Sequence, residues 1–283
     1  MWWRWVLLIV DSQVHTWAAS TIERPWPANT VPHREVPLGT DDLLLEMNQA
    51  HVDRAILVPP SWEGGRNDLA LAAAQKYPNR FAVMGRIPMT RIAGAQGELI
   101  DWCKQQGMLG LRLAFNNHNA SSMFESGQLN WVWEEAESAG IPIMILVWHA
   151  NVYFINQIAI KYPNLKIVMD HFSLNSSLSD GLAFENFDQL LAIAKCKNIA
   201  VKASALPCYT NDIYPYRSLH QYVKKAYDAF GPQRMFWGTD LSRSPISYRQ
   251  QVLMFTEEMP FLSTEDLTWI MGRGICEWLK WDF

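Results

Sequence analysis

The sequence predicts one α/β domain folded as a (β/α)8 barrel, and three observations carry that prediction. Eight short apolar runs recur along the chain, stretches of helical period separate them, and polar residues gather where the runs stop. Parallel strands covered on both faces read as continuous apolar runs, whereas half-buried strands alternate. The runs are WVLLIV (5–10), RAILV (54–58), FAVMGRI (81–87), LGLRLAF (109–115), IPIMILVW (141–148), LKIVMD (165–170), IAVKASA (199–205) and RMFWGTD (234–240).

The intervening segments have recognisable ends. Thr40 is placed to cap DDLLLEMNQAHV, Asn67 to cap DLALAAAQKYP, and Gly140 to close NWVWEEAESAG. YFINQIAIKYP, FENFDQLLAIAKC, LHQYVKKAYDAFG and YRQQVLMFTEEM follow, and TEDLTWIMGRGICEWL supplies an extra C-terminal helix beyond a barrel that has room for distortion. An open doubly wound sheet is the rival. It lacks a glycine-rich phosphate loop after the first strand, and the GRG at 272–274 is far from any strand-to-helix turn. With no linker or low-complexity tract, residues 1–283 read as a single domain.

A net charge of −4 and a pI near 6.0 give no basic surface for nucleic acid or an anionic membrane, so a small molecule is the expected partner. The cysteines Cys103, Cys196, Cys208 and Cys276 are spread out without a C-x-x-C pair, which suits a reducing cytoplasm and argues against a disulfide framework. MWWRWVLLIV followed by WAAS imitates a signal peptide, but cleavage near Ala19 would discard the first strand. The tryptophans leave room for a homo-oligomer.

The informative positions of a barrel are the polar side chains at strand ends. They are Asp11, Gln13 and His15 at strand 1, Arg112 in strand 4, His149 after strand 5, Asp170 and His171 at strand 6, Lys202 and Ser204 in strand 7, and Asp240 at strand 8. Singly, each has an ordinary explanation: Arg112 as an ion pair inside the barrel, Lys202 as a partner of Asp170, Asp11 as an anchor for loop backbone. The set is harder to dismiss, because three of only seven histidines stand at strand ends together with Asp240. His33, His51, His118 and His220 fall in loops or helices without that signal, although His118 follows strand 4 closely enough to reach the pocket.

DSQVHTW after strand 1, GGRNDLALAAAQKYPNRFAVMGRI through strand 3, LGLRL, VMDHFS and WGTDLSRSP together resemble the amidohydrolase superfamily, in the amidohydrolase 2 branch of dicarboxylate lactonases and related decarboxylases. The resemblance covers nearly the whole chain. In metal-dependent members a histidine pair, a strand 5 histidine and a strand 8 aspartate hold a divalent ion. It therefore implies His15, His149 and Asp240 as ligands for zinc or manganese, with His171 as acid/base partner. Gln13 departs from the pattern. A neutral amide oxygen is a poor zinc ligand, and since loss of even an outer hydrogen-bond partner weakens a metal site about 10–100-fold, the expectation is no tightly held metal. Some lactonases of the branch work without one.

The chemistry then rests on Asp240 as general base, with His15, His171 and the Gln13 amide as donors to the oxygen that gathers charge. Arg112, the single clear strand-end arginine, suits a substrate carboxylate, and Arg243 adds a second clamp. His149, Lys202 and Trp17 complete the expected substrate contacts. Trp17, Trp26, Trp62, Trp148 and Tyr209 point to a more aromatic or cyclic substrate than a dicarboxylate. The leading reading is hydrolysis of a small lactone or related cyclic ester or amide. Its alternatives are a metal-dependent decarboxylase of an aromatic or unsaturated acid and a catalytically silent binding barrel. A serine triad is excluded for want of a G-x-S-x-G elbow.

Overall fold

The computed structural model describes residues 7–92, 94–116 and 120–282. Eight parallel strands run in sequence order: β1 (Val10–Val14), β2 (Arg54–Leu57), β3 (Phe81–Gly85), β4 (Met108–Phe115), β5 (Ile143–Val147), β6 (Ile167–Met169), β7 (Ile199–Ser204) and β8 (Met235–Gly238). Helices and short turns connect them, giving the expected (β/α)8 barrel. No helix among the described residues is long and apolar enough to cross a membrane. β8 returns to β1, where the Asp240 N–H donates to the Gln13 carbonyl at 2.8 Å and the Thr239 N–H to the Asp11 carboxylate at 2.9 Å. Gly238 permits that seam, because a side chain there would run into Ser12 Oγ.

Alternation along each strand sends every second residue into the barrel. At one end these residues are Val10, Ile56, Met84, Met144, Val168, Ala200 and Phe236, packed with Ile275, Cys276 and Leu279 of the C-terminal helix Gly274–Leu279. β4 contributes Gly110 at this level, where a side chain would run into the Pro142 carbonyl and the methyl of the register partner Met84. One step further along, four of the inward residues become polar, Arg86, Arg112, Asp170 and Lys202, while Val58 and Leu146 stay apolar. That change of polarity within two residues places the pocket at the carboxyl ends of the strands.

Three local readings change, and a fourth feature gains an explanation. The first strand begins at Val10, five residues later than its apolar run, so Asp11 and Gln13 lie within the strand. Thr40 is the first helical residue, after Gly39, and caps nothing with its side chain. Asn67 precedes the helix Asp68–Lys76 without capping it; its amide instead grips the backbone of Arg86. The GRG of 272–274 is a packing device, since a side chain on Gly272 would collide with the Leu8 carbonyl.

Candidate active site

A cavity of about 150 Å³ opens at the carboxyl ends of the strands. Its lining includes His15, His33, His171, Asp240, Arg86, Arg112, Arg243, Trp62, Trp148 and Tyr209. Asp240 is the centre of one wall. It stands at the turn leaving β8 with φ 49°, in the left-handed region that a non-glycine residue occupies at a cost. Its Oδ1 lies 3.1 Å from His15 Nε2 and its Oδ2 lies 3.6 Å from His171 Nε2 and 3.8 Å from Arg243 Nε. Burial alone would raise the Asp240 pKa; the facing His15, His171 and Arg243 reverse that and hold the carboxyl well below the usual range.

Both imidazoles beside it are oriented from behind. His15 Nδ1 donates to the Val58 carbonyl at 2.5 Å, which leaves Nε2 for Asp240. His171 Nδ1 pairs with Ser204 Oγ at 2.7 Å, and burial pushes the His171 pKa down to about 4, so its ring is neutral at pH 7. His171 opens a run of three left-handed residues, His171, Phe172 and Ser173, which turns the chain sharply and aims the ring at Asp240.

The floor is an ion network. Lys202 Nζ lies 2.8 Å from Asp170 Oδ1 and donates to Gln13 Oε1 at 2.7 Å, while Arg112 Nε donates to Asp170 Oδ2 at 3.1 Å. Burial would raise the Asp170 pKa, but Lys202 and Arg112 outweigh it and lower it to about 2. Asp11 is a backbone anchor, accepting from the Gln13 and Thr239 amides and from the hydroxyls of Thr239 and Tyr248.

Of the residues expected at the site, His15, His171, Asp240, Arg112 and Arg243 converge on the cavity. Gln13, Lys202, His149 and Trp17 lie behind its walls. Gln13 and Lys202 are fully buried and bonded to each other, and the Gln13 NH₂ meets no protein acceptor among the described residues. His149 Nε2 is taken by the Phe172 carbonyl at 2.9 Å, and Trp17 packs edge-on against Trp62 with ring centroids 5.4 Å apart. His118 lies outside the described residues.

Two ionisable lining residues escaped the sequence reading. His33 arrives on the long loop after β1, which crosses back to the β8 loop. Its Nδ1 pairs with Ser242 Oγ at 2.8 Å, and Arg34 donates to the Leu241 and Ser242 carbonyls. Nothing local marks it, since its position depends on how that loop docks. Arg86 was legible: it stands two residues after the inward-facing Met84, at the end of an apolar run.

His15, His33 and Asp240 present ligand atoms that all lie within 4.8 Å of one another. Two imidazoles and a carboxylate suit zinc or manganese, and both rings have their Nδ1 atoms fixed by a hydrogen-bond partner. These residues fit a divalent ion, with loop-borne His33 in place of the expected His149.

At the mouth of the barrel, then, a carboxylate stands between two oriented histidines. The family described as Amidohydrolase matches residues 10–273, and the chain belongs to that family; it is an amidohydrolase-like enzyme. It is 21% identical over 233 residues to L-fucono-1,5-lactonase of Burkholderia ambifaria, a match covering 82% of this chain and 79% of the relative. A zinc-bound amidohydrolase structure from Burkholderia multivorans superposes with TM-score 0.80 at 17% identity, covering 96% of this chain and 99% of that one. The 5-carboxyvanillate decarboxylase of Sphingomonas paucimobilis superposes with TM-score 0.67 at 15% identity, over 97% and 99% of the two chains. At these identities the two structures attest the fold.

Proposed function

We propose that the protein hydrolyses a small lactone, with Asp240 as the base that activates water. The carrying observation is the buried Asp240 carboxylate held between His15 and His171 in the cavity wall; the lactonase relative supports the choice of substrate. Asp240 is ionised at neutral pH and takes a proton from water. The water oxygen bonds to the ring carbonyl carbon, whose oxygen gathers negative charge that Arg243 is placed to stabilise. The bond from that carbon to the ring oxygen then breaks, and the departing oxygen is protonated to a hydroxyl by way of His171, leaving a hydroxy acid.

The neighbours that keep Asp240 ionised also weaken it as a base. Neutral His171 beside it gives the proton a second acceptor. A divalent ion held by His15, His33 and Asp240 would supply a more acidic bound water. The reading proposed is that no tightly held metal is required, because Gln13 is committed to Lys202 and adds no ligand.

The test is a panel of lactones assayed for ring opening, with metal content measured on the same preparation. Asp240→Asn is expected to lower kcat/KM by about 10²–10⁴-fold while leaving the melting temperature near that of the parent. Unchanged turnover in the variant, or release of carbon dioxide in place of ring opening, overturns the proposal.

A further inference from the structure

Among the described residues Arg86 has no ion-pair partner; the carboxylate that acts on it, Asp170, is already shared by Lys202 and Arg112. Among the same residues its guanidinium donates to a protein acceptor only at the Pro59 carbonyl, at a long 3.4 Å. The other two arginines of the cavity are matched, Arg112 with Asp170 and Arg243 with Asp240. Arg86 follows Met84 by two residues as Arg112 follows Gly110, and Met84 and Gly110 are register partners on adjacent strands. The two guanidiniums therefore stand side by side on the β3–β4 wall, and both line the cavity.

The arrangement is held in place. Asn67 Oδ1 accepts from the Arg86 N–H at 2.7 Å, and Asn67 Nδ2 donates to the Arg86 carbonyl at 3.0 Å, clamping the backbone from both sides. Burial and the neighbouring Arg112 push the Arg86 pKa down to about 9, so it remains charged at neutral pH in a place that disfavours charge. Among the described residues no free carboxylate is left to pair with it, and the cavity it lines is open to an occupant that brings one.

We infer that the substrate carries a carboxylate, separate from the ester that reacts, and that Arg86 binds it with Arg112 alongside. A planar carboxylate accepts two parallel hydrogen bonds from one guanidinium. The hydrolytic centre on the β1–β8 wall then acts on the opposite part of the same small molecule. This inference deepens the lactone reading and rests on it for the reaction, while the anion site itself is testable without catalysis.

Two measurements separate them. Glutarate binding, followed by calorimetry, asks about the site alone. The parent is expected to bind glutarate and not glutaramide, Arg86→Met to weaken glutarate binding about 10- to 100-fold, and Arg86→Lys to recover part of it. Turnover of a lactone bearing a ring carboxylate, compared with its methyl ester, asks about specificity. Arg86→Met is expected to erase the preference for the acid, chiefly through KM. Equal binding of glutarate and glutaramide by the parent, or undiminished glutarate binding by both Arg86 variants, overturns the inference. An equal loss by Arg86→Met on acid and ester overturns it too. Absence of any lactone turnover with glutarate binding lost in Arg86→Met would sink the reaction and leave the anion site standing.

Discussion

The two ends of the barrel are built from the same strands and differ in everything else. At the closed end, inward residues from seven strands are apolar and are sealed by Ile275 and Leu279 of the last helix. At the open end, four of the next inward residues are Arg86, Arg112, Asp170 and Lys202, with His171 and Asp240 in left-handed backbone. The closed end gains stability from dry packing, as any core does. The open end spends some of it on buried charge and strained turns, which persist because the rest of the barrel over-determines them.

Removing one partner from the ion network should have the largest effect on stability. Lys202→Met leaves Asp170 with only Arg112 beside it and deprives Gln13 of its donor. A loss of about 3–5 kcal/mol is expected by urea denaturation, and adding Asp170→Asn should return part of it. If Lys202→Met alone were neutral, the floor would be no more costly than the closed end, and the contrast between them would fail.

Ile275→Ala sharpens the same contrast from the other side. Ile275 is fully buried at the closed end, so the expected cost is about 2–5 kcal/mol. At a temperature where the variant is folded, its kcat/KM on any lactone the parent opens should stay within about twofold. A large kinetic effect would mean that the two ends are coupled through the barrel.

The smallest predicted effect is on pH dependence. Burial lowers the pKa of both His149 and His171, the latter to about 4. A histidine whose folded pKa is depressed adds stability above the unfolded value near 6.5, and that stability is lost as pH falls toward the folded value. Asp11 opposes this. Burial raises it to about 6, so the stability it adds at acid pH is lost as pH rises through 6. Desolvation lowers His33 to about 4 as well, so with three histidines against one aspartate the urea midpoint should fall between pH 7 and pH 5. His149→Gln should flatten that slope; an unaltered slope would show that His149 does not titrate on unfolding.

The barrel itself was legible in the chain, because burial on both faces writes each parallel strand as an apolar run. The strand-end rule marked His15, His171 and Asp240, since a polar residue directly after such a run has little choice of position; Arg112 was read within strand 4 and Arg243 in the loop after strand 8. The same rule extended by alternation would have found Arg86. What the sequence could not decide was which of these groups face substrate. Lys202 and Gln13 satisfy each other beneath the pocket, His149 turns to the Phe172 carbonyl, and His33 enters from a loop whose docking depends on Arg34 and Ser242. Strand position follows from the local pattern of burial. Side-chain pairing across a barrel depends on residues tens to hundreds of positions apart, and only the folded chain brings them within reach of one another.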